Sequence, residues 1–537
     1  MAREFYCSDE LTVVKTAEGL LKGYYLDGIY TFHGIDYAYA DRWQAPRAPE
    51  SWEGIKDATN YGYICPTMGE PAPSGEILIP HRFWPANEHC QNLNLWTPSL
   101  DPEAKKPVMV WFHGGGYANG SSIEQVAYEG DALAEYGDVV VITVNHRLNI
   151  LGFLDMSSFG EKYANSVNAG MADLVECLRW VKRNVQVFGG DPENVTIFGQ
   201  SGGGGKVETL LQTPCAEGLF QKGIVMSGLF RGEKKDPAKI AAQHRKLVLG
   251  ILSELGIPEE QVEELEKVPY DVLERAYNKA QYKLLKEEDI FINWGPVPNE
   301  FYMGNPLHVG FTDFAKTVPT MAGSVISEFS TFGPIMDQDL PEEVKEAAVY
   351  ERFGEEAEEL IQLFEKAYPD KDLSHLPVID AMCRAATIDW AEKKAKDGAA
   401  PSYLYLFALD FDVNGVRPAW HCSDIPFAFY NTHRVPNANL EGITEVLEDE
   451  VAGAYVSFAR YGNPNHEGMR KWEPYTEKTR ATMVFDEETV CKEGDFDRAL
   501  TSRLEAIAAR QGAAIGSMFK VNFMKQMESG EGGNWIY

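Results

Sequence analysis

The sequence predicts an α/β protein with a mostly parallel central sheet flanked by helices. Several apolar runs are continuous rather than alternating, as in strands that are buried on both faces of a sheet. Helical patterns such as Ala169–Val185 lie between several of these runs, and strand–helix alternation is typical of parallel sheets. The apolar runs are Pro107–Phe112, Val139–Val144, Val195–Phe198, Gly223–Ser227, Val318–Gly323 and Tyr403–Leu409.

Other parts of the chain add to this framework. In residues Tyr24–Ala40, the pair Asp27-Gly28 lies between alternating apolar residues, which predicts an N-terminal β-hairpin. Two long amphipathic, charged regions, about residues 236–288 and 341–396, interrupt the strand–helix alternation, and we expect helical insertions there. No repeat, linker or low-complexity tract divides the 537 residues. We therefore expect a single domain that spans residues 1–537.

The composition disfavours several classes of function. Asp and Glu outnumber Lys and Arg by 81 to 49, giving a formal net charge of −32, and such a surface repels nucleic acid and anionic lipid. The beginning of the chain has no apolar signal region, so we predict a cytoplasmic protein. The eight cysteines form no C-x-x-C motif, and no phosphate-binding or dinucleotide motif occurs. The sequence thus predicts no cofactor, no metal site and no membrane or nucleic-acid partner.

The stretch Gly199-Gln200-Ser201-Gly202-Gly203 has the pattern G-x-S-x-G between a predicted strand and a predicted helix. Such a turn lifts the serine hydroxyl above the sheet, where it can act as a nucleophile. Glycine at the two flanking positions gives the turn room, and the N–H of Gly202 can face an oxyanion at the helix N-terminus. The following Gly204 and Gly205 predict close packing of this helix. Alternatively, Ser201 only caps the helix.

A second glycine-rich stretch, His113-Gly114-Gly115-Gly116, follows the apolar run that ends at Phe112. This pattern is typical of a loop whose backbone N–H groups bind the oxyanion of an acyl-transfer reaction. A plain flexible turn is the alternative, but such a turn has no need to lie two strands before a serine in a G-x-S-x-G motif. Together the two stretches favour acyl-transfer chemistry.

At this point the chain resembles the type-B carboxylesterases, the family of the cholinesterases and para-nitrobenzyl esterases, which have the α/β-hydrolase fold. The matching segments run along nearly the whole chain. Among them are WFHGGGYANGS, VVVITVNHRLNILGFL, FGGDPENVTIFGQSGGG and AWHCSDIPFAFYN. The resemblance implies an α/β-hydrolase that cleaves carboxylic esters.

The resemblance also implies the partners of Ser201. It assigns the acid to Glu328, five residues after Gly323, and the general base to His421 in the segment AWHCSDIPFAF. The chain order of serine, acid and histidine agrees with this fold. From the residues alone the histidine stays open, and the rivals by position are His113, His146 and His433.

In the implied mechanism, His421 takes a proton from Ser201, Glu328 orients the imidazole, and an acyl-enzyme forms on the serine. Three backbone N–H groups then bind the oxyanion, those of Gly115, Gly116 and Gly202. The implied protein is a serine carboxylesterase for small to medium esters. A lipase and an esterase for aromatic esters such as feruloyl or chlorogenic esters stay open, as does a non-catalytic cholinesterase-like binding module.

Several further residues are candidates by the same resemblance. Gln200 stands where many relatives have glutamate, and Gly202 stands where alanine is usual. Three side chains are candidates, with Gln200, for lining the substrate pocket, although simple packing is an alternative: Trp84, Leu229 and Phe230. Ser227 matches a serine that supports the acid.

Cys65 and Cys90 match a cysteine loop of the family, and both the oxidised and the reduced pair stay open. We expect a small-molecule ester as the partner of the protein, which is a monomer or a homodimer.

Overall fold

The computed structural model describes residues 3–68, 80–328, 336–380, 382–413, 416–511 and 515–529. The strands in these ranges are β1 (Phe5–Tyr6), β2 (Val13–Lys15), β3 (Leu20–Lys22), β4 (Tyr24–Leu26), β5 (Ile29–Asp36), β6 (Ile55–Asp57), β7 (Asn92–Thr97), β8 (Lys106–Phe112), β9 (Val140–Val144), β10 (Gly190–Gln200), β11 (Lys222–Met226), β12 (Thr320–Val325), β13 (Ser402–Phe407), β14 (Asp410–Val413), β15 (Val416–Pro418), β16 (Thr482–Phe485) and β17 (Val490–Lys492).

The α-helices in the same ranges are α1 (Asp131–Gly137), α2 (Asn149–Phe153), α3 (Ala169–Asn184), α4 (Gly202–Leu211), α5 (Pro237–Leu255), α6 (Tyr270–Glu288), α7 (Pro306–Val309), α8 (Asp313–Thr317), α9 (Glu342–Phe353), α10 (Ala357–Ala367), α11 (Cys383–Lys396), α12 (Ile425–Ala428), α13 (Thr444–Tyr461), α14 (Arg498–Arg510) and α15 (Ile515–Ser529).

A large central sheet organises the described residues. Its twelve strands lie in the order β1-β4-β5-β7-β9-β8-β10-β11-β12-β13-β16-β17. The strands from β9 to β16 in this order are parallel, and the pairs at both ends of the sheet are antiparallel. Each of the predicted apolar runs contributes a strand to the parallel part. The prediction of a mostly parallel sheet flanked by helices is therefore confirmed.

The two faces of the sheet bury two separate hydrophobic cores. Along β8, Met109 and Trp111 belong to one core, and Val108, Val110 and Phe112 belong to the other. This separation follows from the geometry of a strand, whose successive side chains point to opposite faces. Because both faces are covered, the parallel strands contain continuous apolar runs, as the sequence predicted.

The N-terminal hairpin is also confirmed. Strands β4 and β5 pair antiparallel, with Leu26 opposite Ile29. The two turn residues, Asp27 and Gly28, have φ values of 46° and 104°, the left-handed backbone that two-residue hairpin turns favour and that glycine adopts easily.

The first predicted insertion contains a pair of packed helices. The side chain of Asp236 accepts hydrogen bonds from the backbone N–H groups of Ala238 and Lys239 and so caps α5, and Gly256 ends the helix with a φ of 66°. Helices α5 and α6 pack against each other and add to a third hydrophobic core that includes Trp43.

The second predicted insertion contains α9, α10 and α11, and Ala381 within it lies outside the described residues. Its last helix packs directly against β12 and β13. Within the described ranges, no helix combines the length and the apolar character that crossing a membrane requires.

Candidate active site

The predicted site residues follow neighbouring parallel strands at one edge of the sheet. Ser201 follows β10, Ser227 follows β11, and Glu328 follows β12. The loop of Gly114–Gly116 follows β8. Because the carboxyl ends of parallel strands meet at the same edge, these residues all lie at that edge of the sheet.

Ser201 lies in a sharp turn between β10 and α4. Its φ and ψ are 57° and −126°, a strained combination for a residue that is not glycine. Its backbone N–H donates a hydrogen bond of 2.8 Å to the carbonyl oxygen of Met226, and its carbonyl oxygen accepts one of 3.0 Å from Gly205. The turn that the G-x-S-x-G pattern predicts is thus present, and Ser201 is half-buried at its tip.

The glycines around Ser201 stand where other backbone comes close. A Cβ atom on Gly199 would lie 2.6 Å from the carbonyl carbon of Gly203, and one on Gly203 would lie 1.9 Å from the carbonyl oxygen of Phe112. On Gly204 it would lie 2.9 Å from the Cα of Gly228, where β11 has just ended. With the backbone in this position, no side chain fits at Gly199, Gly203 or Gly204. This lack of space explains the run of glycines at the start of α4.

The glycine loop after β8 lies beside the start of α4. Gly115 and Gly116 have φ values of 81° and 62°, which glycine adopts without strain. A Cβ atom on Gly114 would lie 3.4 Å from the Cβ of Ser201. The backbone N–H groups of this loop and of Gly202 therefore lie near the serine.

His421 and Glu328 form a direct pair. The Nδ1 of His421 lies 2.5 Å from Oε2 of Glu328, and the backbone N–H of His421 donates to the carbonyl oxygen of Glu328 at 2.9 Å. The other carboxylate oxygen, Oε1, accepts from the backbone N–H of Val325 at 3.0 Å. A bridge between Ser327 and Trp420 joins the two segments just before these residues, so backbone pairing brings the acid and the histidine together.

Two buried carboxyl groups that the sequence analysis did not single out lie near Glu328. Burial raises the pKa of Asp380 and of Asp424 to about 7 in each case, and the charge of Glu328 adds to both shifts. Asp380 caps α11 by accepting from the backbone N–H groups of Met382 and Cys383. Asp424 accepts from the hydroxyl of Tyr405 at 3.0 Å. The sequence could have pointed to Asp424 through its position three residues after His421.

Gln200 packs against the histidine instead of facing solvent. Its side chain is fully buried, and its Nε2 lies 3.3 Å from each ring nitrogen of His421. Its Oε1 accepts from the thiol of Cys422 at 3.2 Å. Gln200 thus helps to support the imidazole, and its role in a substrate pocket stays a prediction.

The other pocket candidates differ in their exposure and their neighbours. Trp84 is partly exposed and lies edge-on to Tyr61, with ring centroids 5.5 Å apart. Leu229 is buried in the core on one face of the sheet, whereas Phe230 is half-buried.

Ser227 and the two cysteines, Cys65 and Cys90, are buried. The Ser227 hydroxyl has no hydrogen-bond partner within the described ranges, so its support of the acid stays a prediction. Cys65 and Cys90 are free thiols, and burial together with the hydrogen bond to Cys65 raises the pKa of Cys90. Across the described ranges, no three His, Cys, Asp or Glu side chains are grouped in a way that could hold a metal ion.

Comparisons with known proteins agree with this geometry. The model of the carboxylesterase family matches residues 10–502. The chain is 32% identical to the para-nitrobenzyl esterase of Bacillus subtilis (strain 168) over 486 residues, which cover 89% of this chain and 95% of that protein. It is 31% identical to the phenmedipham hydrolase of Pseudarthrobacter oxydans over 497 residues, which cover 89% of this chain and 95% of that one.

Solved structures show the same relationship. An esterase of Clostridium hathewayi, described as able to hydrolyse aliphatic aromatic polyesters, superposes with a TM-score of 0.89 at 45% identity and covers 94% of this chain and 100% of its own. A thermophilic PNB esterase superposes with a TM-score of 0.73 at 29% identity and covers 91% and 99%. The α/β-hydrolase fold expected from the sequence is thus confirmed. The chain belongs to the carboxylesterase family, whose members are carboxylic ester hydrolases.

Proposed function

We propose that the protein is a serine carboxylesterase that hydrolyses small to medium carboxylic esters through an acyl-enzyme on Ser201. The observation that carries the proposal is the pair of His421 and Glu328, which are 2.5 Å apart, at the sheet edge where Ser201 lies in its strained turn. A serine that only capped α4 would need neither a histidine–carboxylate pair nor a glycine loop beside it.

In the proposed mechanism each group has one task. Nδ1–H of His421 donates to Glu328, so the other ring nitrogen, Nε2, is the one that accepts the proton of Ser201. The serine oxygen then attacks the ester carbonyl, and the resulting oxyanion accepts hydrogen bonds from backbone N–H groups. These are the N–H groups of Gly115, Gly116 and Gly202.

The second half of the reaction uses the same groups. His421 returns the proton to the leaving alcohol, and the acyl group stays on Ser201. Water then gives a proton to His421 and attacks the acyl carbonyl. The bond to the Ser201 oxygen breaks, His421 returns its proton to that oxygen, and the carboxylic acid leaves. Glu328 stabilises the imidazolium in both halves, and the hydrogen bond from Val325 keeps its carboxylate in place.

An esterase for aromatic esters, such as feruloyl or chlorogenic esters, is the second candidate. It is favoured by the likeness to the Clostridium hathewayi esterase, which is described as hydrolysing aliphatic aromatic polyesters. The exposed aromatic side chains of Phe83 and Trp84 would suit contact with an aromatic acyl group. Preference for long acyl chains would instead indicate a lipase.

The test compares substrates on the wild type and on Ser201→Ala. We expect the wild type to hydrolyse p-nitrophenyl acetate and butyrate faster than the octanoate and to lose this activity in the variant. Faster turnover of methyl ferulate than of the aliphatic esters would favour the aromatic candidate. A folded wild type without turnover of any of these esters would contradict the proposal and favour the non-catalytic binding module.

We further propose a small-molecule ester as the partner, a cytoplasmic location, and a monomer or homodimer in solution. The formal net charge of −32 supports a protein that avoids nucleic acid and anionic membranes. Light scattering coupled to size-exclusion chromatography would give the mass in solution, and a tetramer or larger assembly would contradict this part of the proposal.

A further inference from the structure

We infer that Lys206 is a positioning residue of the active site, which holds the glycine loop of Gly114–Gly116 against the start of α4 through a buried hydrogen bond to the carbonyl oxygen of His113. This inference rests on the proposed function, because the loop matters only where it binds an oxyanion. Neither the G-x-S-x-G pattern nor the H-G-G-G pattern includes this lysine.

The hydrogen bond acts on the peptide that enters the loop. The Nζ of Lys206 donates to the carbonyl oxygen of His113 at 2.9 Å. The same planar peptide carries the N–H of Gly114, which points opposite to that carbonyl. Three consecutive glycines restrict their own backbone very little. A fixed first peptide therefore limits the directions that the N–H groups of Gly115 and Gly116 can take.

Helix geometry places Lys206 and Gly202, whose N–H is an expected oxyanion donor, on one face of α4. Gly202 and Lys206 are four residues apart and so lie above one another on the helix. Gly202 lies against the backbone of Gly116 at the far end of the loop, while Lys206 reaches its beginning at His113. Both ends of the loop are thus set by the same helix face.

The buried surroundings of Lys206 disfavour its charged form. The side chain is fully buried, and burial lowers the pKa of Lys206 to about 7, with Glu124 and then Cys65 opposing the shift. His113 and His146, both fully buried, also face this charge, and it helps to lower their pKa values. Its Nζ lies 5.9 Å from the ring of Tyr117.

A buried charge costs free energy, and an apolar side chain of similar shape often gives a protein that is equally or more stable. Stability alone therefore gives no reason for a lysine at this position. The hydrogen bond from Lys206 to the carbonyl oxygen of His113 gives such a reason.

The chain offers a matched control in Lys394. This lysine is equally buried, burial lowers its pKa to about 7 as well, and its Nζ also donates to a backbone carbonyl, that of Val318, at 2.8 Å. It lies on α11 near the amino end of β12, at the opposite end of that strand from Glu328. Replacing either lysine by methionine removes the same atoms and the same charge.

The experiment compares Lys206→Met with Lys394→Met. For Lys206→Met we expect kcat for p-nitrophenyl butyrate to fall by about tenfold or more while KM changes little. The affinity for a trifluoromethyl ketone, which mimics the tetrahedral intermediate, should fall by the same factor as kcat/KM. Lys394→Met should keep wild-type values for all three quantities. Thermal unfolding of each variant shows that the compared proteins are folded.

Several outcomes would overturn the inference. They are an unchanged kcat and inhibitor affinity in Lys206→Met, or equal losses in Lys206→Met and Lys394→Met. If Lys206→Met does not fold, Lys206→Gln replaces it, and failure of both to fold would assign Lys206 to stability and so contradict the inference. The proposed function fails separately, when the wild type is inactive or Ser201→Ala remains active.

Discussion

A Cβ atom on Gly202 would lie 2.1 Å from the carbonyl oxygen of Gly116. The first residue of α4 and the last glycine of the loop after β8 are therefore in direct backbone contact, and no side chain fits between them. The loop of this protein therefore lies closer to its helix than an alanine at position 202 would allow.

Gly202→Ala should therefore impair catalysis more than stability. The added methyl group forces the loop away from α4 and moves the N–H of Gly116 from the oxyanion, so we expect kcat to fall by about 10- to 100-fold with little change in KM. Steady-state kinetics with p-nitrophenyl butyrate measure both. The control is Gly205→Ala, whose Cβ would have the hydroxyl of Tyr117 as its nearest neighbour, at 2.8 Å. A kcat of Gly202→Ala equal to that of this control would contradict the argument.

Glu328→Gln should reduce kcat by about 10³- to 10⁴-fold, as the loss of the acid does in other serine hydrolases. The amide can donate a hydrogen bond to Nδ1 of His421 and so favours the wrong tautomer. The control is Asp424→Asn, which removes a neighbouring carboxyl group that is largely protonated below its raised pKa of about 7. At pH 6 we expect nearly wild-type kcat from the control, and similar losses in both variants would mean that Glu328 has no special role.

Glu208 predicts a pH dependence of stability. Burial raises its pKa from 4.5 to about 8, and its Oε1 has no hydrogen-bond partner within the described ranges. Between these two pKa values the folded state binds more protons than the unfolded state, so the free energy of unfolding falls as the pH rises from about 4.5 to 8. Glu208→Gln removes this loss and should stabilise the protein at pH 9 by up to about 5 kcal/mol.

Urea unfolding of the wild type and Glu208→Gln at pH 5, 7 and 9 measures this effect. We expect the two curves of stability against pH to meet near pH 5 and to diverge above it. The control is Glu217→Gln, because Glu217 is exposed and its curve should follow that of the wild type. If the free energies of unfolding of Glu208→Gln and the wild type changed with pH in parallel, ionisation of Glu208 would not destabilise the folded state, and the prediction would be wrong.

Gly323→Ala should destabilise the sheet beside the acid. Its Cβ would lie 2.2 Å from the ring of Tyr405, the residue opposite it on β13. Such overpacking costs about 1–3 kcal/mol. The smaller side chain in Tyr405→Leu makes room, so the double variant should be more stable than the sum of the two single effects predicts. Chemical unfolding of the four proteins tests this, and strict additivity would contradict the steric explanation.

The sequence predicted the parallel strands and the serine turn because both depend on local features. Continuous apolar runs mark strands that are covered on both faces, and Gly199 and Gly203 mark a turn in which backbone meets backbone. By contrast, β7 was not predicted, although it lies between β5 and β9 in the central sheet. Its sequence, NLNLWT, alternates polar and apolar residues at its start, so it lacks the continuous apolar run by which the parallel strands were found.

The residues around Glu328 could not be found from local patterns. The pairing of Glu328 with His421 joins positions that are 93 residues apart, and only the resemblance to the family pointed to it. Asp380 comes from a region interpreted as an insertion, and its closeness to Glu328 depends on the tertiary fold. The sequence analysis did not single out Lys206, because its burial depends on how α4 packs against the loop at His113.

The central claim is that Ser201 is the nucleophile, and labelling by a fluorophosphonate tests it most directly. Mass spectrometry of digested wild type should place the phosphonyl group on the peptide that contains Ser201, and labelling should stop the hydrolysis of p-nitrophenyl butyrate. Ser201→Ala should take up no label. A label on another residue of an active wild type, or ester hydrolysis that persists in Ser201→Ala, would contradict the account.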